Sequence, residues 1–315
     1  MAFLRTLGRR LPFFRDLHQY IRALESERND LRNQVAHWKT WMSPGHFYSP
    51  IPSLQEIAER DAELFGPPPP ELPGIDLRVD DQLQLITTLA ALYADMPFPR
   101  HQTAATRYWL HNDAFAYSDA IYLHLLLRHL QPKRVIEVGS GFSSAAMLDT
   151  AELFLQRSTA FTFIDPDLST LQNLWRPQDA QNVTTLQSRV QDVPLSLFDA
   201  LESGDILFID SSHVTKTGSD VNRLYFDVIP RLKPGVYIHI HDIHYPFEYP
   251  RPWVYEGRAW NEAYLVRALL TFNAELEIVL FPSYLHIFHA DLLTRTMPLV
   301  MENKPGSLWL RRRAQ

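Results

Sequence analysis

The 315-residue chain is 46% hydrophobic and 21% charged, the composition of an ordinary globular protein with room for one large domain and an accessory segment. Its formal net charge of −6 argues against a general nucleic-acid binder, and the absence of cysteine excludes disulfides, thiolate catalysis and sulfur-ligated metal. Any metal must be held by oxygen and imidazole, which 13 histidines allow.

No apolar run approaches the roughly 20 residues that span a bilayer, so a cytoplasmic protein with no transmembrane segment is expected. The leader "MAFLRTLGRRLPFF" is basic and mildly amphipathic, without the continuous apolar stretch of a secretory signal. From Leu17 the apolar residues fall at Leu17, Ile21, Leu24, Leu31, Val35 and Trp38, a heptad seam with Arg28 at one core-type position. This pattern predicts a coiled-coil-like helix that pairs with its copy in a homodimer or packs on its own domain. "GPPPPELPG", Gly66 to Gly74, reads as a semi-rigid polyproline linker. A further amphipathic helix is expected over Asp80 to Asp95.

Beyond Pro132 strands and helices alternate. "RVIEVG", "AFTFID", "VTTLQS", "DILFID" and "VYIHIHD" read as strands, and segments such as "SSAAMLDTAELFL" and "GSDVNRLYFDVIPRL" read as helices. After a helix over Asn261 to Thr271, "LEIVLFPSYLHIF" reads as two strands in a terminal hairpin with a tight Pro-Ser connection. The fold class expected is α/β: a doubly wound, mostly parallel seven-stranded sheet with an antiparallel hairpin and an N-terminal helical extension. The expected organisation is a helical segment over 1–65, a linker over 66–74, a helical lead-in over 75–118, a core domain over 119–292 and a tail over 293–315.

"VIEVGSGFSS", Val135 to Ser144, ends the first strand and opens a helix, the place where open α/β sheets bind ligands. Gly139 and Gly141 allow a sharp turn and close approach, and Ser143 or Ser144 caps the helix. Glu137 beside the glycines would repel a pyrophosphate but attract a cationic ligand, such as the ammonium and sulfonium of S-adenosylmethionine. Asp165, 24 residues past Gly141, suits a ribose diol, and Asp192 after the third strand suits an adenine amino group.

"VIEVGSGFSS", "FIDPD", "VQDV" and "DILFID", in this order, resemble the class I S-adenosylmethionine-dependent methyltransferases over roughly Asp119 to Phe288. The resemblance implies a Rossmann-like methyltransferase fold. It places Glu137 at the methionine amino group, Gly139 and Gly141 along its backbone, Asp165 at the ribose and Asp192 at adenine. Ser140 and Ser143 join this cofactor-binding set, and Ser144 stands where a glycine is frequent.

"FIDSSHVTK" and "YIHIHDIHYP" end the fourth and fifth strands on the same rim. Asp210, His241 and Asp242 there form a candidate site for a divalent cation, magnesium, manganese or iron. The chain is similar to the metal-dependent O-methyltransferases, including the catechol and macrolide-sugar enzymes. That similarity implies metal ligation by Asp210, His241 and Asp242 and a catalytic base at His213, in the pattern Asp210-Ser211-Ser212-His213. His241 departs from the carboxylate usual in those enzymes. Lys216 is a second candidate base.

The stretch "HYPFEYPRPWVYEGRAWNE" is expected to form an aromatic lid, or a hydrophobic cluster pinning a long loop. The expectation is methyl transfer to a hydroxyl of a small molecule or glycan, with Asp210 and His213 catalytic and no nucleic-acid partner. Metal-free transfer to nitrogen or oxygen, and a catalytically idle scaffold, are the alternatives.

Overall fold

The structure, a computed structural model, describes residues 12–36 and 41–313. The leader through Leu11, the side chain of Val35 and the seam residue Trp38 lie outside the described residues. The chain divides into two compact units, Met1–Leu64 and Phe65–Gln315. The first contains helix α1 (Pro12–Ala36), covering the seam predicted from the heptad spacing, and short helices over Leu54–Glu59 and Asp61–Leu64. Among the described residues no helix is long and apolar enough to cross a membrane.

The second unit begins with the proline-rich segment, which is fastened at its middle and at its C-terminal end. The Tyr245 hydroxyl donates to the Pro69 carbonyl at 2.5 Å, and the Phe272 amide donates to the Gly74 carbonyl at 2.7 Å. Helix α2 (Val79–Tyr93) follows, burying Ile86 and Leu89. The stretch between α2 and α3 (Tyr117–Leu130) is irregular rather than helical, so the expected lead-in is helical only in part. Polar bonds hold it down, as irregular backbone near a core requires. The buried Arg107 guanidinium reaches Asp149 at 2.6 Å and Glu152 at 2.8 Å. It reaches Asp179 through Nε at 3.0 Å.

Next come β1 (Arg134–Val138), α4 (Phe142–Phe154), β2 (Ala160–Ile164), α5 (Ser169–Leu174), β3 (Val183–Leu186), β4 (Ile206–Ile209) and β5 (Tyr237–His241). A helical run with a π-type middle, Arg223–Val228, connects β4 to β5. Helix α6 (Glu262–Leu270), β6 (Leu276–Leu280), α7 (Pro282–Phe288), α8 (Ala290–Thr296) and β7 (Ser307–Arg312) complete the unit. The strand order is β3-β2-β1-β4-β5-β7-β6, and the first five strands are mutually parallel. β4 is buried throughout, as are all but the first residues of β1 and β5. That burial is why β4 reads as the continuous apolar run ILFI, whereas β1 and β5 carry Glu137, His239 and His241 at buried positions.

The expected Pro-Ser hairpin is wrong. "PSYLHIF" is helix α7, with Pro282 at its first position, where a missing amide hydrogen costs nothing and φ is already helical. The antiparallel strand is "SLWLRR", and the expected tail over 293–315 therefore contributes to the sheet. β7 lies between β5 and β6 and is antiparallel to both. Helices α7 and α8 occupy the chain between β6 and β7.

Candidate functional site

Strand order reverses between β1 and β4, and the carboxyl ends of these two strands meet there. The Asp210 amide donates to the Val138 carbonyl at 2.8 Å, and the Gly139 amide donates to the Ile164 carbonyl at 3.0 Å. Gly139 has φ +88°, and a Cβ there would lie 1.9 Å from the Asp210 carbonyl oxygen. Only glycine meets both conditions. Gly141 differs from expectation: its φ of 178° is extended backbone open to any residue.

Glu137 is fully buried, between Phe163 and Phe208 in the sheet register. The Ser143 hydroxyl donates to its Oε1 at 2.5 Å, and the Ser144 hydroxyl donates to its Oε2. Burial raises the carboxyl to about 8; the two serines oppose the rise, and the Asp210 and Asp165 charges add to it. Ser144 also accepts the Gly141 amide at 3.0 Å. The serine at the third-glycine position thus both caps α4 and fixes Glu137.

Asp165 accepts the Ser140 amide at 2.8 Å and the Asp167 amide at 2.7 Å, bracing the turn from β2. The Ser140 hydroxyl is buried without a hydrogen-bond partner. Asp192 is exposed, in the turn Val190–Asp192, with its carboxylate engaged by Arg189 at 2.9 Å.

Across the switch from the glycine turn, His213 is buried with φ +59°, a left-handed conformation unusual for a residue with a Cβ. Its Nδ1 lies 2.8 Å from Glu262 Oε2, and the same oxygen accepts the Ser211 hydroxyl at 2.9 Å. Its Nε2 lies 3.4 Å from Asp210 Oδ1 and 3.4 Å from Asp242 Oδ2. Burial alone would lower its pKa, but Asp210, Glu262 and Asp242 outweigh burial and raise it to about 10. Conversely, burial pushes the Asp210 carboxyl up, while His241 and His213 bring it below its usual value. Lys216 is exposed.

Glu262 carries no sequence signal for this role. It lies 49 residues from His213 at the start of α6, and the asparagine before it offers only an ordinary helix-entry pattern. The fold joins the two through the His213 carbonyl, which accepts the Asn261 and Glu262 amides at 3.0 and 3.1 Å.

The expected cation site, Asp210 with His241 and Asp242, is not assembled. His241 Nε2 lies 3.7 Å from Asp242 Oδ1 and its Nδ1 is buried without a partner. The ring packs 5.1 Å from Phe115. The His213 imidazole stands between the two carboxylates and supplies the positive charge they require. Among the described residues no group of three or more histidines and acids is arranged to hold a metal ion. The residues therefore do not fit a metal in this arrangement.

The aromatic stretch divides in two. Tyr245, Phe247 and Tyr249 are buried core residues. Trp260 packs 4.5 Å from the His213 ring, Trp253 packs 5.3 Å from His244, and the two tryptophans meet at 5.4 Å. Arg258 caps this wall 4.5 Å above Trp253.

A glycine turn at the switch of a parallel sheet, with a buried acid before it and an acid-histidine cluster across from it, defines a nucleotide-cofactor enzyme of the α/β class. Residues 136–243 match the family model of a methyltransferase domain. An uncharacterized protein of Archaeoglobus fulgidus is 31% identical over 175 residues, covering 52% of this chain and 75% of that protein. The chain belongs to the class I S-adenosylmethionine-dependent methyltransferases. Among solved structures, CmcI in its apo form is 18% identical with a TM-score of 0.42, over 71% of this chain and 84% of that one. The O-methyltransferase TomG of Streptomyces achromogenes, solved with SAM, is 15% identical with a TM-score of 0.40, over 73% of this chain and 89% of that one.

Proposed function

We propose that the protein transfers a methyl group from S-adenosylmethionine to a hydroxyl of a small-molecule or glycan acceptor, with His213 as the proton acceptor and Glu262 as its orienting partner. The observation that carries this reading is the His213 imidazole, with one nitrogen on buried Glu262 and the other directed at Asp210 and Asp242 on the rim.

Residues of the glycine turn fit the donor. The orphaned Ser140 hydroxyl is a buried polar group in need of a partner, and Glu137 is an acid suited to the donor's ammonium. Gly139 and Gly141 would lie along the donor, Asp165 would take the ribose hydroxyls, and Ser143 acts through Glu137. Asp192 would turn to adenine only by releasing Arg189. When bound, the donor supplies a methyl carbon activated by a sulfonium. As the acceptor oxygen bonds to that carbon, the carbon-sulfur bond breaks and its electron pair returns to sulfur.

The remaining chemistry belongs to the chain. An alcohol is a poor nucleophile until its proton is removed, and neutral His213 Nε2 takes that proton. Glu262 fixes the tautomer with the proton on Nδ1, and Asp210 and Asp242 stabilise the imidazolium that forms. Trp260 and Trp253 form an apolar wall against which an acceptor ring would lie with water excluded. No step is assigned to a metal.

The test is transfer of a labelled methyl group to a panel of hydroxylated acceptors, with donor binding followed by calorimetry. His213→Ala is expected to lose transfer by at least about 10²-fold with donor affinity retained. Near-normal turnover in that variant would remove His213 as the base.

A further inference from the structure

We infer that α1 is one half of a parallel, in-register two-stranded coiled coil, and that its partner is a second copy of this chain. Leu17, Tyr20, Ile21, Leu24 and Leu31 lie along α1 and are each between 41% and 62% exposed. Large apolar side chains repeated along one helix stripe are normally covered by another surface. A second identical helix covers them with like on like: Leu17, Leu24 and Leu31 at the d positions, Ile21 and Arg28 at the a positions.

The flanking charges choose the direction. In the parallel register Glu27, at a g position, faces Arg32 of the second copy at the following e position, and the pair occurs twice by symmetry. Arg28 faces its own counterpart in the a layer, and Glu27 of each helix lies beside the other's Arg28, so the two acids offset the repulsion of the two cations. An antiparallel pair with full overlap would set Glu25 against Glu25 and Glu27 against Glu27. Like charges in contact disfavour it. Sliding that pair by one heptad removes the repulsion, but in one direction it leaves Leu17, Tyr20 and Ile21 uncovered, and in the other it sets Leu17 against Arg28 and Glu27 against Tyr20.

The chain contains no cysteine, so a single engineered thiol reports the geometry without background. The full-length protein is expected to sediment at twice the chain mass, and the double variant Ile21→Glu/Leu24→Glu at the chain mass. That variant should keep donor binding, which shows that the second unit is intact. Leu24→Cys is expected to form a disulfide-linked dimer under mild oxidation, because only a parallel in-register pair brings the two d positions together. Glu27→Arg should weaken the dimer by about tenfold or more, and Glu27→Arg/Arg32→Glu should restore it. Three results would each overturn the inference: a wild type at single-chain mass, a dimer that survives Ile21→Glu/Leu24→Glu, or a dimer whose Leu24→Cys form does not cross-link.

Discussion

Glu262 Oε2 lies 2.8 Å from His213 Nδ1, both residues buried, and together with Asp210 and Asp242 this contact makes the imidazole a strong base. With its pKa near 10, His213 is an imidazolium at neutral pH in the ligand-free protein, and the form able to take a proton grows as pH rises. The kcat/KM of methyl transfer should therefore climb about tenfold per pH unit from neutrality and level off near pH 10. Glu262→Gln removes one of the charges that raise the pKa, so the levelling point should move to lower pH. The plateau should fall about 10- to 100-fold, the worth of one hydrogen bond to a charged group at about 1.5–3 kcal/mol. A pH–rate profile that Glu262→Gln leaves in place would sink the pairing. The sign for stability follows from the same shift. Because the folded value lies above the unfolded value of 6.5, the contribution of His213 is complete below pH 6.5 and is lost as pH rises through about 10. Thermal melts of wild type and His213→Ala should converge across that range.

Glu137 gives a second pH dependence, carried by binding rather than turnover. Its carboxyl, raised to about 8 by burial, is mostly protonated at pH 7 before a ligand arrives. A cationic donor favours the ionised form, so binding at pH 7 should release a proton, and affinity should rise with pH until about 8 and then flatten. Calorimetry in two buffers of different ionisation enthalpy measures the release directly. Glu137→Gln should abolish it and weaken binding above pH 8 by about 1.5–3 kcal/mol. Identical heats in the two buffers with wild type would contradict the assignment.

Legibility followed sequence locality. The glycine turn, Asp165, Asp210 and Asp242 each directly follow a strand whose apolar residues are readable by themselves, and His213 follows four residues past β4, so their common rim followed from the alternation of strands and helices. Glu262 was not readable, because its partnership depends on a segment of nearly fifty residues, with a helical run and β5 inside it, returning to His213. β7 was missed because Arg311 and Arg312 give "SLWLRR" a surface-like ending, and its burial between β5 and β6 appears only in the assembled sheet. The expected cation site is not assembled among the described residues. Acids at strand ends suggested a metal, whereas the imidazole that stands between Asp210 and Asp242 supplies their countercharge from within the chain.

Gly139→Ala tests the turn itself. The new methyl would overlap the Asp210 carbonyl oxygen, and the left-handed φ alone costs about 1–2 kcal/mol for a residue with a Cβ. The expected result is a lower melting temperature together with loss of donor binding, because relief of the overlap must move the end of β4 away from β1. By contrast, Gly141→Ala has no φ penalty and meets Thr170 at an ordinary 3.6 Å, so it should fold with near-wild-type stability. Equal melting temperatures for the two variants would refute the distinction.

The His213 bridge between Asp210 and Asp242 predicts how activity responds to chelation. Since the imidazolium already compensates both carboxylates, methyl transfer should be unchanged after thorough EDTA treatment and dialysis. Added magnesium or manganese should not raise it. Loss of activity on chelation, with recovery on adding one cation back, would show that His213 moves aside for a metal and would overturn the proton path proposed above.

Arg107 joins the irregular stretch before α3 to the core, and its partners make it costly to lose. Its guanidinium engages Asp149, Asp179 and Glu152, while the Arg107 and Tyr108 amides donate to Asp149 Oδ2 at 2.7 and 2.8 Å. Asp149 and Asp179 are themselves buried, so Arg107→Met would leave two carboxylates in low-dielectric surroundings without their cation. Breaking a buried ion pair from one side costs about 3–5 kcal/mol. The stretch also carries Phe115, which packs against His241 on the rim, so its release should loosen the site as well as the fold. Denaturant titration of Arg107→Met is expected to show a loss of that size, and the KM for the acceptor should rise at temperatures where the variant is still folded. Arg107→Lys should recover only part of the stability, because an ammonium cannot serve three carboxylates with the planar fork of a guanidinium. A variant within about 1 kcal/mol of wild type would mean that the carboxylates find water or take up protons instead.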